Sequence, residues 1–228
     1  LSEDEGGALV ERINWTSSLD ELTPAEVVIE AASEDVEVKR RIFAELDEAL
    51  PDAEIVASNT SSIPIGQLSE RTTRPERVLG LHFFSPVPKM KLVEIVVGLV
   101  SSRECVARAK VFARQLGKTP IMTKDRSGFV VNKLLVPYLM AAVTMYDEGF
   151  ATRDDIDTGM KLGCGHPMGP LTLCDFIGID VLYAIGNSLY EEFKQAEYAP
   201  PPLLARMVAA GRLGRKSGRG FYEYKDAA

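Results

Sequence analysis

AEVVIEAASEDVEVKRRIFAELDEALPDAEIVASNTSS, residues 25–62, decides the fold. Its first eight residues, Ala25–Ala32, form a short apolar run that reads as a buried strand. Ser33 is placed to cap a helix over Glu34–Leu50, because Val36, Phe43, Leu46 and Leu50 recur at helical spacing. Glu54–Ala57 is the next strand, ending in the polar cluster Ser58–Ser62. Strand, helix and strand within so short a stretch imply a crossover between parallel strands, and so an α/β sheet.

Working outward, Val78–Phe84 and Leu92–Val97 read as two more strands, Ser102–Leu116 as a helix and Pro120–Thr123 as a last strand. Glu3–Arg12 has the character of a helix tail. From Ser127 onward the alternation stops. Phe129–Gly149 is a long apolar helix with Pro137 inside it, which should kink it. Further helices are expected near Arg153–Leu162, Thr172–Lys194 and Pro202–Ala210, with no strand between them. This change of pattern divides the chain into an α/β domain, residues 1–125, and an all-helical domain, residues 126–228.

Composition limits the task. Of 228 residues, 46% are hydrophobic and 26% charged, which argues for a globular chain and against disorder. A net charge of −7 disfavours nucleic acid as the main partner. The sequence has no apolar run of the ~18 residues a bilayer requires, so no membrane role is expected. Cys105, Cys164 and Cys174 are odd in number and lack metal-ligand spacing; free thiols in a reducing cytoplasm, and no metal, are the expectation.

The two histidines, His82 and His166, are the first candidates for proton chemistry. His82 ends the strand Val78–Phe84, with Gly80 and Phe84 on its face. Such a histidine alone reads as a core residue. Glu94 changes the balance: it interrupts Leu92-Val-Glu-Ile-Val96, on the face of Leu92 and Val96, while Lys91 points the other way. A carboxylate on an apolar face needs a partner, and the short Pro86–Lys91 connection can bring the two strands side by side. A Glu94–His82 pair orients the imidazole as a general base.

Other polar positions carry weaker signals. Ser58–Ser62 lies at a strand's carboxyl end, where open α/β sheets bind ligands, although such clusters also simply make turns. Asn132, in the first turns of the long helix, can both donate and accept, or can face solvent. Gly163–Gly169 is a loop between helices, with no strand before it and Pro167 inside it, and its His166 reads as structural. Gly214–Gly218 fits no phosphate-loop frame, yet its basic residues can reach an anionic cofactor.

In this order the segments resemble the 3-hydroxyacyl-CoA dehydrogenase family over residues 8–225. The likeness is carried by Val28–Glu34 with Lys39, Ser58–Ser62, Gly80–Pro88 with Lys91–Glu94, Asp125–Tyr138, Pro167–Pro170 and Gly214–Tyr222. It implies a Rossmann-type doubly wound sheet followed by a helical substrate and dimerisation domain, and oxidation of a (3S)-hydroxyacyl-CoA to the 3-oxoacyl-CoA with NAD as cofactor. By that resemblance His82 is the catalytic base and Glu94 its partner. Ser61 and Asn132 bind substrate, and Ala31, Glu34, Lys39, Asn59, Ser61, Ser85 and Lys216 contact NAD. An acyl-CoA substrate and a homodimer through the helical domain follow. Ser85 stands where many members carry asparagine. The family's opening strand and GxGxxG turn are not in this sequence, so the chain is expected to be a shortened form that binds NAD poorly and turns over slowly. Competing readings are a sugar-acid (gulonate-type) dehydrogenase of the same superfamily and, for a shortened chain, a non-catalytic dimerisation module.

Overall fold

In a computed structural model, the structure of residues 3–224 is described. They pack as two compact units, residues 3–60 with 64–122 and residues 61–63 with 123–224.

The first unit holds α1 (Glu3–Val10), β1 (Val27–Glu30), α2 (Val36–Ala49), β2 (Ile55–Ser58), α3 (Ile65–Ser69), β3 (Val78–Phe83), β4 (Leu92–Val97) and α4 (Arg103–Gln115). The last strand, β5 (Thr119–Lys124), completes a five-stranded sheet in the order β1-β2-β3-β4-β5. The first three strands are parallel, and β4 returns antiparallel to β3. Every residue of β2 is buried, as expected of a strand covered on both faces. One cover is α4, whose Cys105, Val106, Ala109 and Ala113 pack with Ile55, Leu79, Leu81 and Ile95. Gly80 lets neighbouring elements close on β3: a Cβ there would lie 2.8 Å from Cβ of Val96 and 3.1 Å from Cδ1 of Ile65. Pro120 lies in the edge strand β5, a place that tolerates its missing N–H.

One boundary differs from expectation with consequence for the site. The cap of α2 is Asp35, not Ser33: its carboxylate accepts from Glu37 N at 3.0 Å and Val38 N at 2.9 Å, so the helix starts at Val36. Glu34 therefore lies in the loop after β1 instead of in the first helical turn.

The second unit is built from α5 (Val131–Asp147), α6 (Arg153–Cys164), α7 (Pro170–Ile177), α8 (Ile179–Phe193) and α9 (Pro202–Ala209). Leu139, Val143, Leu171, Ile179, Leu182 and Leu204 are fully buried in its core. Pro137 is accommodated inside α5, but the helix begins only at Val131, because Gly128 (φ 75°) and Phe129 (φ 47°) are left-handed. The single helix expected over 172–194 is two, bent by 95° at Gly178. That residue has φ 105° and ends α7, its N–H donating to Cys174 O. Among the described residues, no single helix is long and apolar enough to cross a membrane.

Candidate active site

The strand pairing of β3 and β4 sets the first half of the site. The register places His82 opposite Glu94, flanked by Leu81↔Ile95 and Phe83↔Val93. His82 Nδ1 and Glu94 Oε2 are 2.7 Å apart, a short bond between side chains only 6% and 0% exposed. Residues directly opposed across an antiparallel pair have their Cβ atoms about 5 Å apart, close enough for this contact without strain. The Phe84 ring lies 4.7 Å from the imidazole and limits its rotation from one side. A buried carboxylate accepting from Nδ1 fixes the tautomer, so that Nε2 carries the basic lone pair.

The second half lies at the carboxyl ends of β1 and β2. Asn59 continues the ladder past the end of β2: its backbone N–H donates to Glu30 O at 2.8 Å, and its side-chain Oδ1 accepts from Phe83 N at 2.9 Å. Thr60 Oγ1 donates to Glu34 at 2.6 Å. Lys39, 1% exposed, directs its ammonium to both oxygens of Glu30, at 2.7 and 2.9 Å, with Glu34 at 3.6 Å. Ser58 Oγ and Ala32 N complete the shell of the Glu30 carboxylate at 2.7 and 2.5 Å.

Sequence reasoning missed Glu30. It closes the apolar run Val27-Val-Ile-Glu30 as Glu94 interrupts its own, and the burial test that singled out Glu94 applies to it unchanged.

The first unit therefore brings together His82, Glu94, Asn59, Glu34 and Lys39, with Ala31 and Ser85 exposed on its loops. Ser61 packs with the second unit, as do Asn132 in the first turn of α5 and Lys216 in the tail. Lys216 Nζ is 2.6 Å from Asp180. The tail that bears it is pinned by Asp175, whose carboxylate accepts from Phe221 N and Tyr222 N at 2.9 Å each and from Tyr224 Oη at 3.0 Å. Burial pushes this carboxyl above the usual range, opposed by those donors. Burial and the Asp175 charge push the Tyr224 phenol up to about 12. His166, half-buried in the loop after α6, has its Nδ1 3.2 Å from the Tyr138 hydroxyl.

The exposed acceptor at this end of the sheet fits one part of a dinucleotide. Glu34 is 41% exposed beside the carboxyl end of β1, and a carboxylate there matches the vicinal hydroxyls of a ribose. Small exposed neighbours, Ala31, Ala32 and Ser33, leave room for close approach.

Known proteins supply the frame for this geometry. Residues 1–126 match the family described as 3-hydroxyacyl-CoA dehydrogenase, NAD binding domain, and residues 128–224 match its C-terminal domain. A 3-hydroxybutyryl-CoA dehydrogenase of Mycobacterium tuberculosis is 51% identical over 226 residues, which cover 98% of this chain and 79% of that protein. The crystal structure of M. tuberculosis FadB2 superposes with a TM-score of 0.96 at 52% identity, over 98% of this chain and 79% of the other. That of (S)-3-hydroxybutyryl-CoA dehydrogenase PaaH1 from Ralstonia eutropha gives 0.94 at 45% identity, over 99% and 80%.

Proposed function

The chain belongs to the 3-hydroxyacyl-CoA dehydrogenase family, and from that premise we propose that the buried His82–Glu94 pair is its proton-transfer centre. The protein is an NAD-dependent oxidoreductase that converts (3S)-hydroxyacyl-CoA to 3-oxoacyl-CoA. What carries the assignment of the centre is the 2.7 Å bond between an imidazole and a fully buried carboxylate.

The chemistry follows from that bond. Glu94 accepts the Nδ1 proton, which leaves Nε2 as the atom that takes the proton of the substrate 3-hydroxyl. As that proton leaves, the imidazole becomes cationic, and the adjacent carboxylate stabilises it where little water competes. In the reverse direction the same nitrogen returns the proton. Bound NAD supplies the hydride acceptor.

Glu34, with Ala31 and Asn59 beside it, holds the nicotinamide-side ribose. Ser61, Ser85 and Lys216 complete the cofactor contacts, whereas Lys39, expected among them, is 1% exposed with its ammonium on Glu30 and acts only through Glu34 at 3.6 Å. Ser61 and Asn132 hold the substrate near its reacting oxygens, the amide of Asn132 being able to donate and accept. A four-carbon acyl group is the substrate to test first, since the Mycobacterium and Ralstonia relatives are named for 3-hydroxybutyryl-CoA.

The helical unit serves as the homodimer surface: Leu134, Phe150 and Leu162 stand 73%, 79% and 82% exposed on or beside α5 and α6. Three free cysteines suit a cytoplasmic enzyme. Sedimentation of the chain tests the dimer, and cell fractionation the compartment.

The deciding assay follows absorbance at 340 nm with (S)-3-hydroxybutyryl-CoA, and with L-gulonate as the competing substrate. Turnover of the thioester that disappears in His82→Gln is the expected result. Turnover of gulonate alone, or full activity in His82→Gln, overturns it. Titration of NADH fluorescence measures whether the 228-residue chain holds the cofactor at micromolar concentration.

A further inference from the structure

Glu30 and Lys39 form an ion pair with both side chains at most 2% exposed. Such a pair is a poor source of stability, because removing two charges from water costs about as much as their attraction returns, and apolar residues of like volume often do as well. Its partners point to a different use. Beyond Lys39, the Glu30 carboxylate bonds the ends of β1 and β2: it accepts from Ala32 N just past its own strand, and from Ser58 Oγ at the last residue of β2. Ser58 Oγ also accepts from Thr60 N at 3.2 Å, which shapes the turn that follows. Within that turn Asn59 is held by Glu30 O and in turn holds Phe83 N, one residue from His82.

An unbroken path thus runs from Lys39 through Glu30, Ser58 and Asn59 to the end of β3. Phe83 points its N–H towards the side on which β2 has already ended. Without the Asn59 side chain, the terminal residue pair of the strand bearing the imidazole would depend on β4 alone. We propose that Glu30 is a positioning residue for His82, acting through Ser58 and Asn59 to hold the end of β3. The inference rests on the reading of His82 as the proton acceptor, and it adds a residue that touches neither substrate nor cofactor. A ~1 Å displacement at a reacting group is enough to cost roughly 10²-fold in rate, so a buried charge that immobilises a turn matters for turnover even where it adds little to folding.

Two variants test it, Glu30→Gln and Ser58→Ala. The first leaves Lys39 beside a neutral amide. The second keeps the ion pair and removes only the hydroxyl that links it to the turn, so it decides the matter if the first does not fold. The first readout is independent of activity: amide hydrogen exchange at Phe83, with Ile95 in β4 as reference. Loosening of the β3 end is expected to speed Phe83 exchange at least tenfold while Ile95 is unchanged. The second readout is kinetic: kcat reduced about tenfold in Glu30→Gln, less in Ser58→Ala, with an altered pH profile of kcat in both. Folded variants with unchanged Phe83 protection, or with loosened Phe83 but wild-type kcat and pH profile, overturn the proposal. Wild-type protein and His82→Gln are run alongside. Full activity in His82→Gln sinks the parent reading, whereas an inactive His82→Gln with normal Glu30 and Ser58 variants sinks only this one.

Discussion

Glu94→Gln isolates the charge of the carboxylate from its shape. The side chain is fully buried and its Oε2 lies 2.7 Å from Nδ1 of His82, so the amide fills the same space. Two effects lower turnover. The imidazolium formed as the substrate proton transfers loses its counter-charge, an interaction of about 4 kcal/mol for charges roughly 4 Å apart at an effective dielectric constant near 20. With ~1.4 kcal/mol per tenfold in rate, that sets a ceiling of about 10³-fold. The amide can also turn its NH2 towards Nδ1, which places the ring proton on Nε2 and removes the basic lone pair. The dipole of the amide recovers part of the Coulomb loss, so kcat should fall by about 10²- to 10³-fold. KM for NAD should change little, because Glu94 has no exposed surface to offer a ligand. Thermal stability should be equal or higher, since a buried charge has been removed. Steady-state rates at saturating NAD and 3-hydroxybutyryl-CoA, with a thermal melt of the same preparation, give all three values. A kcat within fivefold of wild type, while His82→Gln abolishes turnover, would refute the role given to Glu94.

Other consequences are checked more quickly. Glu34→Gln should raise KM for NAD several-fold with a smaller change in kcat, the signature of lost ground-state binding in initial-rate data. Although burial opposes it, Thr73 N and Oγ1 and the Arg77 guanidinium hold the Asp47 carboxyl below its usual value. That stabilisation is complete above the unfolded value of about 3.9 and is lost as pH falls through the lower folded one. Asp47→Asn should therefore melt earlier than wild type at pH 7, with the gap closing only below about pH 4. Gly220→Ala would place a Cβ 1.9 Å from Asp175 Oδ1; a loss of about 1–3 kcal/mol in denaturant titration is expected as the tail is pushed off its pin. Burial raises the Cys105 thiol to about 11 and the Cys174 thiol well above its ordinary value, while Cys164 is exposed. Brief iodoacetamide treatment at pH 8 should label Cys164 alone by peptide mass mapping.

Part of this site is legible in the sequence, for a physical reason. A strand has a side-chain period of two, so a charge inside an apolar run must point the same way as its apolar neighbours, and Glu94 then required a partner that the facing strand supplied in His82. The helix that carries Lys39 was legible by period as well, but its first residue was not. Ser33 and Asp35 are both competent caps, and only the backbone path decides which one meets the free N–H groups. That two-residue difference takes Glu34 out of the helix and leaves it in the loop where a ligand can reach it. The break at Gly178 was hidden because apolar residues continue on both sides, and one positive φ in the middle leaves no trace in the hydrophobic pattern. Asp175 was illegible for another reason: its partners lie 46 to 49 residues further on, beyond any local spacing. Glu30 differs from all of these. Its environment, an apolar strand end followed nine residues later by a lysine on the covering helix, was written as plainly as that of Glu94. A buried carboxylate at a strand end is thus a stronger pointer to a site than the polar cluster after it, because the cluster can face water at no cost, whereas the carboxylate cannot.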